Sequence, residues 1–328
     1  MKLLWVLLLS AVAQAAPCTT VANCTEWLTF GGGPSRSLIY RTYPLEVRNP
    51  QITRALIVVH GAGRDADNYF RTALASAFLG DALENTLVIV PRLASNAGGC
   101  GDTLAANEVS WSCSGDSWRS GGAATNNDKL TSFDFTDELL RRLAKKDVFP
   151  NLRAIVVSGH SAGGQYVDRY AMANTVHDTL GVAVTYVVSN PSSYAYLDNT
   201  RPGADGTTFR AFGEGRNCTT FNQWPYGLEH RGSGYTAKET EEQLRKQLAE
   251  RPVTYLLGEI DILPLGGFDS SCPAMAQGAT RLARGQAFSK YVNQKFGAKH
   301  TTTIAPLCGH NARCMFTAEI ALPVLFPR

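Results

Sequence analysis

Residues 154–157 are an apolar run that leads into Ser158-Gly159-His160-Ser161-Ala162-Gly163-Gly164, and a helical pattern follows over residues 165–174. Few folds accommodate a strand that turns so abruptly into a helix. The Gly-x-Ser-x-Gly spacing is what such a turn needs. Its central residue must take strained backbone angles, and Gly159 and Gly163 remove the Cβ atoms that would otherwise collide there. The Ser161 hydroxyl is thereby held out beyond the strand end.

The same alternation continues along the chain. Apolar runs at 55–59, 87–90, 182–188, 253–257 and 301–304 predict further strands. Helical patterns at 69–78, 132–146 and 277–296 lie between them. Strands spaced by helices imply an α/β fold, a mainly parallel sheet with helices on both faces. Residues 37–47 partly alternate and suggest an antiparallel strand or hairpin, with Pro44 favouring an edge. Two stretches break the rhythm. Residues 94–128 are Gly-, Ser- and Asn-rich and hold Trp111 and Trp118. Residues 196–252 hold Trp224, Tyr226 and a charged helical pattern over 237–250. Loops this long in a compact domain are usually functional or disordered, and residues 197–252 are read as a small lid or cap.

The N-terminus has the features of a secretory signal peptide over residues 1–15. Lys2 supplies the positive end, residues 3–12 the apolar stretch, and Ala13-Gln14-Ala15 the cleavage site. The apolar stretch is far short of the ~20 residues that span a bilayer. Residues 16–328 then form one domain of a secreted protein. Its eight cysteines all follow the leader, which in an oxidising compartment reads as a disulfide set. Nearest-neighbour pairing joins Cys18 with Cys24, Cys100 with Cys113 and Cys308 with Cys314, leaving Cys218 with Cys272. Asn23 and Asn217 begin N-x-Thr glycosylation acceptors. A formal net charge of +3 on 328 residues gives no reason to expect nucleic acid or an anionic membrane as partner.

A serine nucleophile needs a base, and the base needs an orienting acid. In folds with this turn they follow in the order Ser, Asp or Glu, His. The strand over 253–257 ends in Gly258-Glu259-Ile260-Asp261, which places Asp261 at a strand's carboxyl end, with Glu259 as runner-up. After the last strand comes Cys308-Gly309-His310-Asn311-Ala312-Arg313-Cys314, where a disulfide would hold the loop carrying His310. A zinc site of Cys308, His310 and Cys314 is the competing reading, though the spacing fits no common zinc pattern. His160 is expected to point away from the site and His60 to brace its loop. His177, His230 and His300 are expected in solvent. The oxyanion donors are expected to be the N–H groups of Ala162 and Ala62. Gly61-Ala62-Gly63-Arg64-Asp65-Ala66 also fits a dinucleotide pattern, but Asp65 and Asp67 would repel a pyrophosphate.

With HGAGRD, GHSAGGQ, GEIDILP and CGHNARCMF in this order, the chain resembles the α/β-hydrolase superfamily over nearly all of its mature length. More narrowly it is similar to secreted esterases of the feruloyl esterase and polyhydroxyalkanoate depolymerase type, a likeness shared by Ser189-Asn190-Pro191-Ser192-Ser193-Tyr194. The resemblance implies acyl transfer to water through an acyl-serine, with no metal or organic cofactor. A small-molecule or polymeric carboxylic ester is the expected substrate. A serine peptidase on the same fold, or a binding protein that keeps the triad, are the alternatives. Trp111, Trp118, Tyr194, Tyr196, Trp224 and Tyr226 are candidates to line the substrate site. The sequence leaves oligomeric state open.

Overall fold

The computed structural model describes residues 15–115, 117–213, 217–232 and 234–328. The leader read over residues 1–15 lies outside them except for Ala15. Along the chain run β1 (Thr25–Thr29), β2 (Arg36–Arg41), β3 (Arg54–Val59), α1 (Ala66–Leu79), β4 (Thr86–Pro91), α2 (Ser132–Leu143) and β5 (Ala154–His160). Next come α3 (Ala162–Ala173), β6 (Ala183–Ser189), the small strands β7 (Thr200–Pro202) and β8 (Phe209–Ala211), α4 (Glu241–Glu250) and β9 (Val253–Gly258). The chain closes with α5 (Cys272–Met275), α6 (Arg281–Phe296), β10 (Thr301–Ala305), α7 (Ala312–Thr317) and α8 (Leu322–Leu325).

Eight strands form one sheet in the order β1-β2-β4-β3-β5-β6-β9-β10. From β4 to β10 every pairing is parallel, and β1 and β2 add antiparallel partners at one end. Strand β3 shows why its sequence is apolar throughout. Ala55, Ile57 and Val59 face one core, Leu56 and Val58 the other. A strand buried on both faces has no polar side to present. The first core takes Leu139 of α2, Tyr166 of α3, Leu244 of α4 and Phe288 of α6. The second takes Phe70 of α1, Met315 and Phe316 of α7 and Leu325 of α8. Thr131 and Asp134 cap α2 reciprocally, and Arg141 and Arg142 in its last turn complement the helix dipole.

Two expectations are corrected. The strand expected at the sheet edge is β2, and it lies inside, between β1 and β4. Its outer neighbour β1 is the short segment TEWLT, too brief for its apolar pair Trp27 and Leu28 to be read as a strand. Pro44 falls after β2, where it interrupts no pairing. The stretch read as a lid, residues 197–252, ends in an element of the body. Helix α4 is the crossover between parallel strands β6 and β9, and Leu244 and Leu248 bury its inner face. Before it, β7 and β8 form a separate hairpin.

Four disulfides join Cys18–Cys24, Cys100–Cys113, Cys218–Cys272 and Cys308–Cys314. Among the described residues no helix is long and apolar enough to cross a membrane.

Candidate active site

The turn between β5 and α3 holds Ser161 at φ 59° and ψ −118°, backbone angles that an L-residue adopts only under constraint. The constraint is packing. A Cβ on Gly159 would lie 2.3 Å from the Gly163 carbonyl oxygen. A Cβ on Gly163 would lie 2.1 Å from the Val59 carbonyl oxygen. The Ser161 N–H donates to the Ser189 carbonyl at 2.9 Å, which ties the turn to β6.

Two loops at the same end of the sheet bring their side chains to Ser161. Asp261 follows β9 and is buried. His310 follows β10, the neighbouring strand. His310 Nδ1 lies 2.8 Å from Asp261 Oδ2, and His310 Nε2 lies 2.9 Å from Ser161 Oγ. With Nδ1–H donating to the carboxylate, Nε2 is the bare nitrogen that accepts the Ser161 O–H. The structure thus brings Ser161, Asp261 and His310 into one chain of hydrogen bonds. Glu259 is engaged elsewhere, accepting the Leu307 N–H at 2.8 Å. Cys308 and Cys314 are bonded to each other, so the zinc reading is corrected: their sulfurs are not free to ligate.

Residues outside the expected triad hold this arrangement together. Asn190 Nδ2 donates to the Gly309 carbonyl at 3.2 Å, and its Oδ1 accepts the Gly258 N–H at 2.8 Å. It therefore links the end of β9 to the His310 loop. Its positive φ of 45° suits an asparagine, and its place in the run Ser189-Asn190-Pro191 after a strand was the signal in the sequence. Arg281, the first residue of α6, is buried with its Nη1 3.4 Å from Asp261 Oδ1. Nothing in the sequence near Thr280-Arg281 announces that partner.

Ser161 and His310 open onto a cavity of about 630 Å³, which Ala62 and Tyr69 also line, with Arg71 and Arg313. Ala162 begins α3 directly behind the serine. His160 is corrected: it turns toward this cavity, with its ring centroid 4.7 Å from that of His310. The Tyr69 hydroxyl and His160 Nδ1 are hydrogen-bonded at 3.1 Å. Burial, reinforced by His310 and Arg281, holds His160 well below the usual imidazole range. His60 has a bracing geometry, accepting the Leu93 N–H at Nε2 and lying 2.9 Å from the Gly61 carbonyl. Burial pushes it down to about 4. His300 is also corrected, being buried between the Tyr255 hydroxyl and the Leu248 carbonyl rather than solvated. His177 is half-buried against the Tyr186 hydroxyl, and His230 is exposed.

The expected aromatic lining is corrected too. None of Trp111, Trp118, Tyr194, Tyr196, Trp224 and Tyr226 is among the described residues lining the Ser161 cavity. Trp111, Trp118, Tyr194 and Tyr196 are buried in the first core. Tyr194 stacks on Phe288, and Tyr196 packs on Tyr291. Trp224 Nε1 donates to the Ser120 carbonyl at 3.1 Å, and the Tyr226 hydroxyl donates to Asp269 at 2.8 Å. These rings fasten the long loops to the body. No described residue of 197–252 lines the cavity either.

The sequence matches the model of the alpha/beta hydrolase family over residues 56–319, and the chain belongs to that family. No curated protein matches it in sequence. Among solved structures it is similar to poly(aspartic acid) hydrolase-1 from Sphingomonas sp. KT-1, with TM-score 0.61 and 22% identity, covering 89% of this chain and 94% of the other. It is similar also to LpqC, a poly(3-hydroxybutyrate) depolymerase from Bordetella parapertussis, with TM-score 0.61 and 20% identity, covering 90% and 85%. At these identities the likeness is one of fold.

Proposed function

We propose that this alpha/beta hydrolase cleaves carboxylic esters through an acyl-serine intermediate, with Ser161 as nucleophile, His310 as general base and Asp261 as the acid that orients it. The observation that carries the reading is the unbroken chain Ser161 Oγ–His310 Nε2, His310 Nδ1–Asp261 Oδ2 opening onto a cavity. His310 takes the Ser161 proton as Oγ attacks the acyl carbon. The N–H groups of Ala62 and Ala162 receive the developing oxyanion. The imidazolium then returns its proton to the departing alkoxide. Water, activated by the same His310, releases the acid and frees Ser161. The reaction needs no metal or organic cofactor.

Secretion and glycosylation belong to the same proposal. Four disulfides suit an oxidising compartment, and Asn23 and Asn217 are exposed. Two neighbours in fold are named for polymers, so polymeric esters belong among the substrates tried.

The test is labelling with a fluorophosphonate and peptide mapping of the adduct, followed by rates on a soluble aryl ester and its matched anilide with and without a chelator. Labelling at Ser161, faster ester cleavage and indifference to the chelator are expected. Faster anilide cleavage would make the protein a peptidase, and an unlabelled Ser161 would make it a binder.

A further inference from the structure

Behind the catalytic acid stands a buried cation. The Arg281 side chain is 0% exposed and that of Asp261 1%. Its guanidinium reaches three separate segments. Nη1 lies 3.4 Å from Asp261 Oδ1, Nε donates to Ser192 Oγ at 2.7 Å, and Nη2 donates to the Gly266 carbonyl at 2.9 Å. One face of the guanidinium lies over the Phe268 ring, 5.2 Å from its centroid. The backbone adds a fourth tie, since the Leu282 N–H donates to the Asp261 carbonyl at 3.3 Å.

Each of the three segments bears on His310. Asp261 spends its other carboxylate oxygen on the imidazole. Gly266 abuts His310 so closely that a Cβ there would meet the ring's Cδ2 at 3.1 Å. Ser192 follows β6 on the run that begins with Asn190, which holds Gly309. We infer that Arg281 is a positioning residue of the Ser161 site, clamping Asp261 and the Gly266 turn onto His310 and tempering the negative charge that the imidazole faces. The inference rests on the proposed triad.

The electrostatic consequence has a definite sign. A carboxylate shared with a cation attracts a protonated imidazole less than one left alone. Taking Arg281 away therefore favours the imidazolium and moves the onset of activity to higher pH. Among the described residues the other charged and titratable groups around His310 are His160 against its ring, Tyr69 bonded to His160, Arg313 on α7, Asp65 and Arg71 across the cavity, and Glu259 behind Leu307. All of these stay in place when Arg281 is replaced.

The experiment uses the full-length protein with Arg281→Met, Arg281→Lys and Ser192→Ala. The imidazole titration of His310 is followed by NMR, and kcat and KM are followed against pH. Arg281→Met is expected to move the titration midpoint of His310 and the acid limb of kcat together to higher pH. Its plateau kcat should fall roughly tenfold at little change in KM. Arg281→Lys keeps the charge and loses the fork, so its limb should stay at the wild-type pH while kcat falls. Ser192→Ala, which leaves the charge and removes the Nε acceptor, should behave like Arg281→Lys, and it carries the test should Arg281→Met not fold. A His310 midpoint and kcat unchanged in Arg281→Met, or a Ser192→Ala enzyme equal to wild type, overturns the inference. The NMR midpoint decides this whether or not Ser161 takes a fluorophosphonate, so failure of the esterase reading is recognised separately.

Discussion

Gly163 stands so close to Val59 that a methyl group on its Cα would come within 2.1 Å of the Val59 carbonyl oxygen. The turn that carries Ser161 is thus wedged against β3, and backbone cannot give way there as a flexible side chain could. Gly163→Ala should cost on the order of 3 kcal/mol or more and abolish turnover in whatever folds. Gly33, where an added methyl would meet nothing within 4 Å, is the control. Denaturant melts of both variants check this, and a Gly163→Ala protein melting with wild type would refute the packing argument.

Ser161→Ala and His310→Ala should each lower kcat by about 10⁴ or more, since members of such a triad act as a unit. The double variant should be scarcely worse than either single one. Steady-state rates on an aryl ester measure all three. Additive losses would mean the two side chains do not share a step.

The Cys308–Cys314 bridge encloses His310 with a sequence separation of only 6. A loop that short removes little chain entropy, so its stabilisation should sit at the low end of the ~2–4 kcal/mol typical of disulfides. Replacing both cysteines by serine should lower kcat by a larger factor than the accompanying fall in Tm would account for. A large drop in Tm with kcat intact would assign the bridge to global stability instead.

Asp168 lies in the interior of α3, fully buried, with Oδ2 accepting the Ala195 N–H at 3.1 Å and Oδ1 without a hydrogen bond. Burial, only partly offset by the Ala195 N–H and Arg169, pushes its carboxyl up to about 7. In the unfolded chain an aspartate ionises near ~3.9. Between those values the unfolded state gives up a proton that the folded state keeps, so stability falls as pH rises from about 4 to 7. Asp168→Asn removes that dependence. The Tm of the variant relative to wild type should therefore be more favourable at pH 8 than at pH 5. A difference that is the same at both pH values would show that the carboxyl does not titrate on folding.

Much of the fold was legible because strands buried on both faces must be apolar, and β3, β4, β5, β6 and β9 all read that way. The order Ser161, Asp261, His310 was legible because each follows the end of a strand. What sequence could not show was which way a side chain turns. His160 and Ser161 are adjacent, yet both face the cavity, because the strained turn breaks the alternation that would have separated them. The tryptophans and tyrosines of the long loops were misread for a related reason. A ring in a loop is equally suited to a ligand or to the loop's own anchorage, and only packing decides. Arg281 was invisible because its partner Asp261 lies on another element, and nothing local distinguishes a buried arginine from a solvated one at a helix start.

Among the described residues strand β10 pairs with β9 alone, so the backbone that delivers His310 belongs to the outermost member of the sheet. Ser161 rides on β5, with three strands on one side of it and four on the other. Ser161 and His310 are thus anchored at very different depths. Any opening that begins at the β10 margin separates His310 from Ser161 while the middle of the sheet persists. On slow heating, the activity proposed for Ser161 would fall silent before the molecule lost its shape.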